Sequence, residues 1–249
     1  MKPKYQAKMS RLKFKLVIIL LIILSFSSCE PTIQQAQNEV KIIGQMKDVM
    51  FKGELFGKIN LDTIKSRNHL YGLGPLAYLS GEVLILDGKA YKSRVETDST
   101  MKVVETFAIQ APFFGYASIP NWNEHNLPNS IHTISQLEQY VDSLTKNSKR
   151  PFFFKLSGTV KQATIHIVNL PEGSKVSSPA EAHEGQINYQ LKNEKSDIIG
   201  FFSTAHKTIF THHDTFLHMH LITSDRQKMG HLDELFLEKG SAKLYLPVD

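Results

Sequence analysis

The segment FLHMHLITSDRQKMGHL, residues 216–232, alternates apolar residues with histidines before a polar stretch. The alternation from Phe216 to Thr223 predicts a β-strand, where residues two apart share a face, so His218 and His220 project to the same side. The polar residues that end in Gly230 predict a turn, after which the chain returns as a neighbouring strand carrying His231. The segment therefore predicts a strand pair that gathers three imidazoles.

Three histidines in this arrangement suit one divalent metal ion. Three protein ligands leave a coordination position for water or substrate, which a catalytic zinc site needs and a structural site avoids. The alternative is that these histidines bind no metal and lie close together by chance. Six of the eleven histidines of the chain lie from His206 to His231, so some close spacing is expected. We interpret His206, His212 and His213 as surface or loop residues, one of which could support a metal ligand.

The rest of the chain is also β-rich. "LDG" at residues 86–88 predicts a turn between two strands. The best helix runs from Ser135 to Lys146, where Ser135 and Glu138 form a capping box. Further strands are predicted at Val40–Ile43, Val83–Leu86, Val103–Ile109, Phe152–Leu156, Thr164–Val168 and Ile187–Leu191.

The net charge of +5 comes from the N-terminus. Six lysines and arginines lie within the first fifteen residues, before any acidic residue, so the remainder carries about −1. This placement removes the main support for a nucleic-acid partner. The apolar run from Leu16 to Leu24 is shorter than the roughly 20 residues of a membrane span, and together with the basic stretch it predicts an export signal.

The single cysteine, Cys29, follows small serines and resembles the lipid-modified cysteine of a bacterial lipobox. We therefore expect an exported lipoprotein that a lipid anchor holds to a membrane of the bacterial envelope. An uncleaved signal anchor or a free thiol is the alternative. The predicted organisation is a signal peptide at 1–29, a tether at 30–38, an N-terminal β-rich domain at 39–149 and a C-terminal metal-binding β domain at 150–249.

Several ordered motifs resemble the acetolactate decarboxylase family, and they extend from about Met46 to Asp249. Residues 79–88, LSGEVLILDG, are similar to the family's "LDGE" and "VLDG" stretches, and residues 152–160 are similar to its "F.A.RIDG.F" strand. The family's "H.HF…DDR..GGH" is matched from His218 to His231 with the same spacing. On these motifs the chain is identified as a member of that family.

The resemblance implies an α+β, β-rich fold, with a mixed β-sheet in the N-terminal domain and an antiparallel, β-barrel-like C-terminal domain. It also implies Zn²⁺ in the cleft, held by His218, His220 and His231. The implied reaction converts 2-acetolactate to acetoin and carbon dioxide, and Glu82 matches the family's active-site glutamate. The oligomeric state, including a homodimer, stays open.

Two departures from the family leave other functions open. An arginine that would pair with the substrate carboxylate is replaced by His166, which we take as a second candidate catalytic residue. A tail that returns a second glutamate has no counterpart after Asp249. The chain could therefore act on another 2-hydroxy-3-oxo acid, or be an exported zinc-binding module that has lost this activity.

Overall fold

The computed structural model describes residues 37–248, which form fourteen β-strands and three short helices. The helices are α1 (Met46–Lys52), α2 (Ile134–Leu144) and α3 (Pro179–Ala182), and 3₁₀ turns occur at Leu61–Thr63 and Ala77–Leu79. The strands are β1 (Lys41–Ile43), β2 (Ile59–Asn60), β3 (Leu70–Pro75), β4 (Glu82–Leu86), β5 (Lys89–Val95), β6 (Met101–Glu105), β7 (Gln110–Ala111), β8 (Phe114–Ser118), β9 (Trp122–Asn126), β10 (Phe152–Ile167), β11 (Ile187–Phe202), β12 (Leu217–Thr223), β13 (Met229–Phe236) and β14 (Ala242–Pro247).

The first sheet has the strand order β1-β8-β3-β4-β5-β6, and all of its pairings are antiparallel. The expectation of a mixed N-terminal sheet is therefore wrong. Short connections between successive strands explain the antiparallel order from β3 to β6. The predicted turn between β4 and β5 is confirmed, because Asp87 and Gly88 both have the positive φ that a type I′ hairpin turn requires.

The second sheet is built on one long hairpin. β10 and β11 pair over sixteen-residue strands, so the two strands predicted at 152–156 and 164–168 are one continuous strand. The other edge of β10 pairs with β14 and then with β13. Because β11 also pairs with β12, and β12 with β13, the pairings form a closed circuit β10-β11-β12-β13.

A glycine allows β13 to approach β10 at the end of this circuit. A Cβ at Gly230 would lie 2.5 Å from the carbonyl oxygen of His166, a separation that side-chain carbons do not tolerate without a backbone shift. Gly230 therefore lets His231 come directly opposite His166 in the sheet register.

Apolar residues of both sheets share one core. Leu84 and Tyr91 of the first sheet pack in the same cluster as Ile199, Phe201 and Ile222 of the second. The β4 strand that carries Glu82 is thereby held against the sheet that carries the histidines.

Helix α2 begins at Ile134, one residue before its predicted start, and its N-cap is Thr133. Thr133 has extended backbone angles, its hydroxyl accepts the N–H of Gln136, and Gln136 Oε1 accepts the N–H of Thr133. The predicted capping box of Ser135 and Glu138 is therefore wrong. Glu138 instead accepts the N–H of Phe216 at 2.8 Å and a hydrogen bond from Thr215, which ties the helix to the start of β12.

The expected division near residue 149 stays a prediction. β9 precedes that position yet pairs with β14 in the second sheet, and residues 37–248 lie within one compact unit.

The signal segment ending at Cys29, and all but the last two residues of the predicted tether, lie outside the described residues. Between residues 37 and 248, no helix has the length and apolar character needed to cross a bilayer.

Candidate metal centre and active site

Strands β12 and β13 bring His218, His220 and His231 together. His218 and His220 lie two residues apart on β12, and His220 lies directly opposite His231 where β12 pairs with β13. One ring nitrogen of each residue lies within 4.8 Å of the corresponding atoms of the other two. The predictions of a shared face and of a returning strand are confirmed.

His218 is oriented by a backbone carbonyl. Its Nδ1 lies 2.8 Å from the carbonyl oxygen of Phe210 and donates to it, so Nε2 is left for a ligand. Metal-bound histidines typically have such a partner on the second ring nitrogen. Burial lowers the pKa of His218 to about 3, with a smaller contribution from His212, so the imidazole is neutral at physiological pH.

His220 gives the clearest indication that the cluster fits a metal ion. It is fully buried, and neither ring nitrogen has a hydrogen-bond partner among the described residues. A buried polar atom without a partner costs about 1–3 kcal/mol. Burial also lowers the pKa of His220 well below its usual value, which leaves a neutral imidazole able to coordinate a cation.

Glu82 is the first residue of β4 and lies beside His220. Its Oε2 is 3.6 Å from His220 Nε2, and its Oε1 accepts the N–H of Val168 at 3.3 Å. Burial raises the pKa of Glu82 well above its usual value, and the negative charge of Asp233 acts in the same direction. The carboxyl group therefore favours its protonated form more than an exposed glutamate does.

Backbone geometry before Glu82 brings it into this position. Tyr78 and Leu79 have positive φ, which is uncommon for residues with side chains. Gly81 has φ +151°, and a Cβ there would lie 2.1 Å from the carbonyl oxygen of Ser93. Only glycine lets β4 begin this close to β5.

His166, near the end of β10, joins the same cluster. Its ring stacks on His231 with centroids 4.6 Å apart, and its Nδ1 lies 2.8 Å from each carboxylate oxygen of Asp233. His166, His231 and Asp233 form a second group of closely spaced ligand atoms that shares His231 with the first. Sequence reasoning missed Asp233, although its place two residues after His231 in a strand puts both side chains on one face.

Most of the cluster lines a small, partly open cavity of about 30 Å³, which is room for about one or two water molecules. Met46, Val49 and Met50 of α1 cover one side. Two loop histidines that the sequence did not place in the site, His183 and His212, also line the cavity. His206 instead contacts Ser203, and His213 is exposed. The remaining polar lining consists of Glu82, His166, His218 and His231.

The sequence model of the alpha-acetolactate decarboxylase family matches residues 45–246. The chain belongs to the alpha-acetolactate decarboxylase family. The matched range includes every residue of the cluster.

Individual relatives agree with this assignment. The alpha-acetolactate decarboxylase of Brevibacillus brevis is 24% identical over 225 residues, covering 86% of this chain and 75% of that protein. The alpha-acetolactate decarboxylase of Methanosarcina mazei is 24% identical over 220 residues, covering 88% of this chain and 74% of that protein.

The fold also matches that of the family. The crystal structure of acetolactate decarboxylase from Bacillus subtilis subspecies spizizenii superposes with a TM-score of 0.70 at 22% identity, covering 84% of this chain and 85% of that one. The family fold is mostly β with few helices, as in this chain.

Proposed function

We propose that the protein decarboxylates 2-acetolactate to acetoin and carbon dioxide with a zinc ion held by His218, His220 and His231. The observation that carries the proposal is the set of three imidazoles, two buried and one nearly so, in which His220 has no hydrogen-bond partner within the described chain and Glu82 lies 3.6 Å from it. Membership of the family supplies the substrate and the reaction. The closed circuit of β-strands around the histidines supports a barrel-like second sheet with the metal in its cleft.

The donor set fits zinc. Neutral imidazoles are among the usual zinc ligands, and three of them leave at least one coordination position for substrate. A bound zinc ion would act as a Lewis acid that stabilises the electron pair moving into the keto group as carbon dioxide leaves. His218 has its ring fixed by the Phe210 carbonyl, so it presents Nε2 without rearrangement.

Glu82 is the residue we assign to proton transfer. After carbon dioxide leaves, a proton must return to the carbon that carried it. Burial raises the pKa of the Glu82 carboxyl group, which favours its protonated form and so makes it a proton donor. His166 also lies on the cavity wall, and we assign it a contact with the substrate.

The experiment is acetoin formation from racemic acetolactate by the purified protein with zinc, measured against the spontaneous rate. His220→Ala is the control, because it removes one proposed ligand. Zinc-dependent acetoin in the parent and none in the variant support the proposal. Zinc binding without acetoin in the parent would indicate instead a metal-binding module or a different 2-hydroxy-3-oxo acid as substrate.

We also propose that the protein is exported and anchored through a lipid on Cys29. The basic N-terminus, the short apolar run and the position of the cysteine support this proposal. Labelling of the expressed protein with a fatty-acid analogue tests it, with Cys29→Ser as the control. Equal labelling of both proteins, or of neither, would contradict a lipid anchor at this residue.

A further inference from the structure

The cavity beside the histidines has both polar and apolar lining. Its polar residues are Glu82 and the histidines, and every other residue that lines it is apolar. Three of the apolar residues, Met46, Val49 and Met50, belong to helix α1 and cover one side. A 2-hydroxy-3-oxo acid combines the same two characters, because its oxygen atoms can bind a metal ion and its alkyl groups bind nothing polar. The alkyl groups therefore fit the side that α1 covers.

Helix α1 turns one face towards this cavity. Met46, Val49 and Met50 are spaced i, i+3 and i+4, which places them on the same side of the helix. Met46 and Val49 are buried members of the core that the two sheets share, whereas Met50 is partly buried and packs against that core. The next residue, Phe51, is 55% exposed and does not line the cavity. Met50 is thus the α1 residue at the rim, between the cavity and solvent.

The small size of the cavity makes this rim position important. A volume of about 30 Å³ must widen before it holds a 2-hydroxy-3-oxo acid. Displacing Met46 or Val49 would disturb a close-packed core. Met50 has an unbranched side chain with three rotatable bonds, and it can turn towards solvent without leaving a void in the core. The space for an alkyl group is therefore made most easily at Met50.

We propose that Met50 is a specificity-determining residue, which limits the length of the alkyl group on carbon 2 of a 2-hydroxy-3-oxo acid. This inference rests on the proposed function and deepens it, because it names the part of the substrate that the site selects. The Met50 side chain covers a methyl group, and each added methylene must push that side chain further into solvent. One methylene in an apolar pocket typically changes kcat/KM by about 10- to 200-fold.

The first test compares acetolactate with its 2-ethyl and 2-propyl homologues, each measured against its own spontaneous decarboxylation. We expect kcat/KM of the parent protein to fall by about tenfold or more for each added methylene. Met50→Ala should raise kcat/KM for the ethyl homologue, relative to that for acetolactate, by about tenfold. Met50→Phe fills more of the same rim and should change this ratio in the opposite direction.

Phe51→Ala is the matched control. It truncates a large side chain of the same helix that does not line the cavity, so its ratio of kcat/KM values should equal that of the parent protein. An unchanged ratio in both Met50 variants would overturn the inference. An equal change in Phe51→Ala would also overturn it, because the effect would then belong to the helix as a whole.

The second test does not depend on turnover. 2-Hydroxy-2-methylpropanoate and 2-ethyl-2-hydroxybutanoate have no keto group, so they cannot decarboxylate by the proposed route. The second compound has ethyl groups in place of both methyl groups, so one ethyl group faces Met50 in either orientation. Calorimetric titration of the zinc-loaded protein measures both affinities.

We expect the parent protein to prefer the methyl compound and Met50→Ala to reduce that preference. The same preference in both proteins would overturn the inference. A reduced preference in Met50→Ala, with no decarboxylation of acetolactate or its homologues above the spontaneous rate, would contradict the proposed function and leave the role of Met50 intact.

Discussion

Burial sets the chemistry of individual residues in this site. Glu82 and His220 are almost entirely inside the protein, so the charged form of each is disfavoured. A neutral imidazole can bind a metal ion, and a protonated carboxyl group can supply a proton. The same physical cause thus prepares one residue as a ligand and its neighbour as an acid.

Glu82→Gln separates these two roles. The amide has nearly the same shape but no transferable proton, so we expect acetoin formation to fall by about 10²- to 10⁴-fold, the usual contribution of a positioned acid. Zinc content, measured by elemental analysis, should stay the same because the three histidines are unchanged. Full activity in the variant would exclude Glu82 as the proton donor.

Buried neutral histidines also make the metal-free protein sensitive to acid. The unfolded chain protonates His218 near its ordinary pKa of 6.5, whereas the folded chain resists protonation until about pH 3. The unfolded state therefore binds more protons in this window, so the free energy of unfolding decreases as the pH falls from 6.5 towards 3.

Urea unfolding of the metal-free protein across that pH range measures the slope. His218→Gln should reduce it, while His69→Gln should not, because the His69 side chain is 54% exposed. Equal slopes in the parent protein and in His218→Gln would show that His218 is already protonated in the folded state.

Among the strands and helices, the register of β13 and the contact between α2 and β12 position the site. β13 reaches His166 only because Gly230 has no side chain, and the same close approach aligns His231 with His220 and His166. Helix α2 is tied to β12 through Glu138, just before His218. The start of the strand that carries His218 and His220 is therefore fixed by a contact from outside it.

The cap of α2 offers a direct comparison between two neighbouring positions. We expect Thr133→Ala to lower the free energy of unfolding by about 1 kcal/mol, since it removes the hydroxyl that accepts the Gln136 N–H. Ser135→Ala should have little effect, because Ser135 lies within the helix and is exposed. Chemical denaturation of both variants tests this, and a larger loss at Ser135 would move the cap back to the position that the sequence suggested.

The sequence predicted the histidine pair, the returning strand and the turn at Asp87 because these features depend on local period and turn chemistry. It did not predict the partner of His166 or the cap at Thr133. Asp233 becomes relevant only when β13 pairs with β10, 67 residues apart in the chain. The observed cap at Thr133 and the predicted cap at Ser135 are two residues apart. Glu138 binds the N–H of Phe216 just before β12, a long-range contact that a local sequence pattern does not predict.

At the scale of the whole molecule, helix α1 controls access to the site. The cavity is partly open, and its volume of about 30 Å³ holds about one or two water molecules, so acetolactate needs it to widen. Helix α1 covers it, and its first N–H groups donate to the carbonyls of Ile209 and Thr208. The neighbouring Phe210 accepts the hydrogen bond of His218. Movement of α1 would therefore open the cavity on the side next to a proposed metal ligand.

Hydrogen exchange should detect this movement. We expect amides of α1 to exchange faster than those of β12, and to slow when saturating acetoin occupies the zinc-loaded site. Amides of α2 serve as the control, since that helix does not line the cavity. Exchange in α1 as slow as in β12 would mean that substrate enters by another route.

The most direct test of the central claim is a zinc titration of the metal-free protein, with the initial rate of acetoin formation from acetolactate measured at each step. A single site made by His218, His220 and His231 predicts a rate that rises linearly and stops rising at one zinc per chain. A rate that stays at the spontaneous value throughout, while one zinc per chain binds, would contradict the assignment of this site as the decarboxylase centre.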